Sequence, residues 1–233
     1  MKVLAVDSSA KACSAAITDD NRILGSFFIN TALTHSQTLV PMIDSLLKNT
    51  ATDLDKIDYF AVSAGPGSFT GVRIGVSAIK GIAMPLDKPC VSVSTLEAMA
   101  YNVTDRDCVV CAVMDARRSQ VYNALFKVKD STVTRLCDDR ALSIEELGNE
   151  LKDINERVVL VGDGAELSFR VLSELGLPCV LAPENLRMQS AWGVAMAALD
   201  KEPGNADSLL PVYLRLSQAE RERQERLDRE KES

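Results

Sequence analysis

The pattern of apolar runs and turn residues across residues 2–100 recurs across residues 108–200, and a chain made of two copies of one α/β topology has few ways to fold. In the first copy, strands are predicted at 2–7, 12–18 and 22–30, each rich in Val, Ile, Leu, Phe or Ala. Asp19-Asp20-Asn21 is the natural hairpin turn between the second and third. Thr34 is placed to cap a helix over 35–48, in which Leu39, Val40, Ile43, Leu46 and Leu47 form a one-sided stripe. A strand at 58–64, a helix from about Thr70 to Met84, a strand at 90–93 and a helix from Thr95 complete the order βββαβαβα. The second copy has predicted strands near 108–115, 120–128 and 132–137, a helix at 143–152, a strand at 158–161, a helix at 165–175, a strand at 179–182 and a helix at 188–200.

Two local matches support the duplication. Leu4-Ala5-Val6-Asp7-Ser8 resembles Ala112-Val113-Met114-Asp115-Ala116, and the stretch Ala61–Gly67 resembles Leu160–Gly164. Antiparallel strands that feed parallel ones through helices give a mixed five-stranded sheet, and two such lobes face each other across a cleft. The expected class is therefore α/β, on the duplicated ribonuclease H-like plan of the actin, Hsp70 and sugar-kinase superfamily. The expected lobes are residues 1–103 and 104–216, followed by a charged tail at 217–233.

That tail holds 11 charged residues in 17, six acidic and five basic, with Glu222 and Arg226, and Glu225 and Arg229, at helical spacing. Such pairs add only about 0.2–0.5 kcal/mol each, so a solvated helix or tail is expected, with a partner-binding extension as the alternative. The whole chain carries 26 basic and 33 acidic residues, a net charge of −7, which argues against a surface that holds phosphate backbones by itself. No basic leader and no apolar run of about 18 residues is present, so a cytoplasmic protein without a membrane segment is expected. In that setting the six cysteines read as reduced thiols. Cys108 and Cys111 have metal-like spacing but sit in a strand, where positions three apart face opposite ways, so no metal site is expected.

Kinases and ATPases of the duplicated plan place an acid at the end of each lobe's first strand and glycine-rich turns against the phosphates. Asp7, Ser8, Gly65 and Gly67 occupy those places in the first copy, and Asp115, Asp163, Gly162 and Gly164 in the second. Of these, Asp7, Ser8, Gly65, Gly67, Gly162 and Gly164 are the candidate nucleotide-binding residues, in a degenerate form. No glycine stands beside Asp7, and Gly65–Gly71 matches neither the P-loop nor the GxGxxG pattern. The same glycines could merely turn a strand tightly into a helix. The single histidine, His35, sits at a helix start with no nucleophile at a fixed spacing, and reads as a polar helix-start residue.

Gly67, Gly71 and Gly75 recur every four residues, and Ala78 continues the same face. Each glycine inside a helix costs about 1 kcal/mol against alanine, so such a strip calls for a close contact in return. Packing on its own sheet would supply one. An intermolecular helix bundle with helix 35–48 would supply another, and on that reading the partner interface is Leu39, Ile43, Gly67, Gly71, Gly75 and Ala78.

Val6-Asp7-Ser8-Ser9, His35-Ser36 with Leu39–Ile43, the run Ser63–Gly75 and Pro211-Val212-Tyr213-Leu214-Arg215 together resemble the TsaB (YeaZ) family over nearly the whole chain up to Arg215. The resemblance implies a non-catalytic partner, in a heterodimer, of a TsaD/Kae1-like protein that makes the threonylcarbamoyl modification of adenosine 37 in tRNA. A TsaE-like ATPase and ATP would join at the level of the complex, with no cofactor intrinsic to this chain, and tRNA would be met only through the complex. A homodimer in the absence of the partner is also implied. TsaD carries a His-x-x-x-His metal pair after its fifth strand, whereas Thr95 and Met99 stand at the similar positions here, and neither suits a hard or borderline metal. The alternative is a free-standing small-molecule phosphotransferase of the sugar-kinase type, which would need a general base in the cleft.

Overall fold

The computed structural model describes residues 1–117 and 119–215, so the charged tail at 217–233 lies outside the described residues. In the first lobe, β1 (Lys2–Asp7), β2 (Cys13–Asp19) and β3 (Arg22–Ile29) form an antiparallel meander. It continues through α1 (His35–Asn49), β4 (Tyr59–Gly65), α2 (Phe69–Ala83), β5 (Cys90–Ser94) and α3 (Thr95–Ala100). The sheet order is β3-β2-β1-β4-β5, with β4 and β5 parallel to β1.

The second lobe runs β6 (Cys108–Asp115), β7 (Gln120–Lys129), β8 (Thr132–Arg135), β9 (Arg140–Ser143), α4 (Ile144–Leu151), β10 (Val158–Val161), α5 (Ala165–Glu174), β11 (Cys179–Leu181), α6 (Glu184–Arg187) and α7 (Ala191–Ala198). Its main order, β11-β10-β6-β7-β8, repeats that of the first lobe, and this is the duplicated ribonuclease H-like arrangement.

Two details differ from the sequence expectation. The second sheet has a sixth strand, because β9 pairs with Gln120–Asn123 of β7 while β8 pairs with Phe126–Lys129 at the other end of the same strand. Four residues, Arg-Ala-Leu-Ser, are too few to show alternation in sequence. The helix expected over 188–200 starts only at Ala191, since Met188 is extended and the Ser190 hydroxyl accepts from Gly193 N–H to cap it, and a separate short helix, α6, precedes it.

The helices tie the lobes together. α1 and α2 cover one face of the first sheet, burying Leu39, Ile43, Leu46, Val72, Val76 and Ile79 against Leu4, Ile17 and Phe60. The other face is covered by α7, from the far end of the second lobe, whose Ala, Val and Met side chains pack on Val3, Ala5, Ala61 and Val93. In exchange, α3 packs Leu96, Met99 and Ala100 on Val110, Ala112 and Phe126 of the second sheet. α7 is apolar on every side because it is clasped between the first sheet and α3, where Gly193 leaves no room for a Cβ against the carbonyl of Ala98. Cys108 and Cys111 fall in different cores on opposite faces of β6, as strand geometry requires. Among the described residues, no helix is long and apolar enough to cross a membrane.

Candidate functional site: the cleft between the lobes

A cleft of about 560 Å³ opens between the ends of β1 and β6 and the start of α2, lined by Ser9, Lys11, Phe69, Asp115, Arg117 and Asp163 among others. The two strand ends place Asp7 and Asp115 as the duplication requires, but in unlike surroundings. Asp7 is 1% exposed. Its Oδ1 accepts from Ser9 N–H at 2.9 Å and Ser9 Oγ at 2.8 Å, and Ser63 Oγ donates to Oδ2. Burial pushes its pKa up, against the lowering effect of those hydrogen bonds. Asp115 is exposed, and its Oδ1 accepts from Arg117 N–H at 2.7 Å, which shapes the β6–β7 turn. Asp163 accepts from Gln189 Nε2 at 2.8 Å, and burial is again the chief reason its pKa is raised, with Asp115 and Asp7 adding to it.

The glycine-rich turns are closed on the protein itself. Ser68 N–H donates to Ser9 O at 2.6 Å, and a Cβ on Gly67 would lie 2.4 Å from that same oxygen. In the second lobe, Gly162 N–H donates to Arg187 O at 2.6 Å and Gly164 N–H to Val113 O at 3.2 Å. Gly65, at φ +124°, has the carbonyl of Val212 where a Cβ would stand, 2.2 Å away, so only glycine fits that position. The candidate nucleotide set of Asp7, Ser8, Gly65, Gly67, Gly162 and Gly164 is therefore largely committed to hydrogen bonds and close contacts within the chain. The Asp7 carboxylate is sealed off, and the N–H groups of Ser68, Gly162 and Gly164 already have partners within the chain.

The glycine strip also faces inward, which corrects the expected partner interface. A Cβ on Gly71 would meet Ser8 O at 2.1 Å, and one on Gly75 would meet Ser8 Oγ at 2.5 Å and Val62 Cγ2 at 3.4 Å. Ser8 Oγ donates to Gly71 O at 2.8 Å, so the strip is the seat for the β1–β2 connection. Leu39 and Ile43 are core residues, and Gly67 and Ala78 are half-buried. The outward faces of α1 and α2 instead carry Val40, 53% exposed, with Pro41, Ser77 and Gly81.

His35 Nε2 donates to Ala10 O at 2.7 Å and so pins the start of α1 to the β1–β2 connection. Thr95 and Met99 are both fully buried, Met99 within the core under the second sheet, so neither offers a ligand atom to the cleft. Among the described residues, no three His, Cys, Asp or Glu side chains gather as a metal site. Sequence reasoning missed the contact of Phe69 and Arg73 with Tyr213. Its one signal was the run Pro211–Arg215, which carries no periodicity of its own.

Residues 27–171 match the family model described as TsaD: tRNA N6-adenosine threonylcarbamoyltransferase. The chain is 30% identical to the tRNA threonylcarbamoyladenosine biosynthesis protein TsaB of Bacillus subtilis, over 94% of this chain and 96% of that one. It is 32% identical to the protein of the same name from Haemophilus influenzae, over 92% and 94%. YeaZ from Pseudomonas aeruginosa superposes with a TM-score of 0.78 at 27% identity, covering 91% of this chain and 99% of that one. With this identity sustained along the whole two-lobed fold, the chain belongs to the TsaB (YeaZ) family of tRNA threonylcarbamoyladenosine biosynthesis proteins.

Proposed function

We propose that the chain is the non-catalytic subunit that binds and supports a TsaD-like protein in the threonylcarbamoyl modification of adenosine 37, in tRNAs reading codons that begin with adenine. The observation that carries this reading is the commitment of the candidate groups to the chain itself: the Asp7 carboxylate is bonded to Ser9 and Ser63, the Ser68, Gly162 and Gly164 amides have partners within the chain, and Thr95 and Met99 are buried. Support for a docking role comes from the outward faces of α1 and α2, where Val40 and Pro41 stand exposed beside small residues. The same faces would serve a homodimer when the partner is absent. ATP and a TsaE-like ATPase act at the level of the complex, in the cytoplasm, and tRNA is met there rather than on this acidic chain alone.

A sugar-kinase-type phosphotransferase would need phosphate-facing amides, and the Ser68, Gly162 and Gly164 amides are already bonded within the chain. The purified chain should therefore co-elute with a TsaD-like protein on gel filtration and show no ATP turnover alone. Steady turnover by the chain alone, retained through repurification, would overturn the reading, as would failure to co-elute.

A further inference from the structure

We propose that residues 203–215 form a strap that couples α2 to the β6–β7 turn of the second lobe across the mouth of the cleft. The strap starts at the edge of the first sheet, where Cys90 N–H donates to Gly204 O at 2.7 Å and Gly204 N–H to Cys90 O at 2.8 Å. It then runs along α2, burying Ala206 and Leu209 in the core while Lys80 Nζ donates to the carbonyls of Asp207 and Leu209 at 3.1 and 3.3 Å. At the end of β4 it docks backbone to backbone, with Val212 N–H donating to Ala64 O at 2.7 Å and the Val212 carbonyl over Gly65.

The next residue binds α2 through its side chain. The Tyr213 ring stacks on Phe69, with centroids 3.8 Å apart and planes 4° from parallel, and its hydroxyl accepts from Arg73 Nε at 2.7 Å. The Arg73 guanidinium lies 4.8 Å from the centre of the Phe69 ring. Two residues on, Arg215 Nη1 donates to Ala116 O at 3.2 Å, in the turn where Ala116 N–H donates to Gln120 O and Gln120 N–H to Arg117 O. Phe69 and Ala116 both line the cleft, so the strap holds one wall from each lobe.

The coupling follows from the short distance along the chain. Arg215 can be ordered on Ala116 only while Tyr213, two residues before it, is held on α2. A disturbance at Arg73 is thus passed to the second lobe, and a partner seated on α2 would be felt at the cleft. The alternative is that the two contacts are independent decorations of a loop.

Hydrogen exchange of the full-length protein, read at the Ala116 and Gln120 amides, separates these. Arg215→Ala should speed their exchange between about two- and tenfold, as expected for the loss of one hydrogen bond. Arg73→Ala, on the exposed side of α2, should speed the same amides although its recorded contacts are with Phe69 and Tyr213. The double variant should be no faster than Arg215→Ala alone. Wild-type rates at the turn in folded Arg73→Ala would overturn the coupling, and wild-type rates in Arg215→Ala would overturn the strap. Should Arg73→Ala fail to fold, Tyr213→Phe, which keeps the stack and loses the hydroxyl contact, must speed the turn amides, and a wild-type rate there counts against the proposal equally.

Discussion

A side chain on Gly75 would have to displace Ser8, whose hydroxyl lies 2.5 Å from the position of a Cβ and is itself bonded to Gly71 O. Gly75→Leu should therefore destabilise the chain, by about 1–3 kcal/mol or more, as overpacked cores do. Urea denaturation checks this, and wild-type stability would mean that the strip is not the seat of the β1–β2 connection. Asp7 gives a second test at this scale. Its folded pKa is raised, so the carboxyl holds its proton more tightly in the folded chain than in the unfolded one. That contribution is fully present below the ordinary carboxylate pKa and is lost as the pH rises through the raised value. Asp7→Asn lacks this titration, so its stability relative to wild type should rise with pH across that window, by at most about 1.4 kcal/mol per unit. Denaturation at a series of pH values reads the difference, and a flat difference would contradict the burial account.

At the scale of elements, the order of strands and helices was legible because alternation and the 3.6-residue stripe are set by burial on one face. The direction of a strip of small residues was not. Glycines at every fourth position reveal a close approach but carry no information on what approaches, and here the neighbour is Ser8 in the β1–β2 connection, over 60 residues earlier. The stripe of α1 shows the same boundary of inference. Leu39, Ile43 and Leu46 are buried as expected, yet Val40 is exposed and Met42 is buried in its place, so an apolar side chain at the edge of the stripe faces out. That difference can be used. Val40→Asp should leave the fold intact and weaken co-elution with a TsaD-like partner, while Ile43→Asp should unfold the lobe by burying a charge. Unchanged co-elution of Val40→Asp would move the docking face away from α1.

For the molecule as a whole, the duplication was visible in sequence, whereas the exchange of α3 and α7 between the lobes was not, because each helix is equally apolar whichever sheet it covers. The strap escaped for a related reason, since its anchors are backbone carbonyls and one aromatic stack rather than a repeated pattern. The candidate nucleotide residues lie at or just past the ends of β1, β4 and β10, but whether their amides are free is a matter of tertiary hydrogen bonds that no local pattern records. What the two lobes then offer is a cleft whose buried acid and glycine turns are bonded within the chain, and an outward helical face, the features on which the proposed supporting role rests. Nucleoside mass spectrometry of bulk tRNA from cells depleted of this protein tests that role most directly. Threonylcarbamoyladenosine should fall while tRNA abundance holds, and should return when the chain is resupplied; an unchanged level of the modified nucleoside after depletion would contradict it.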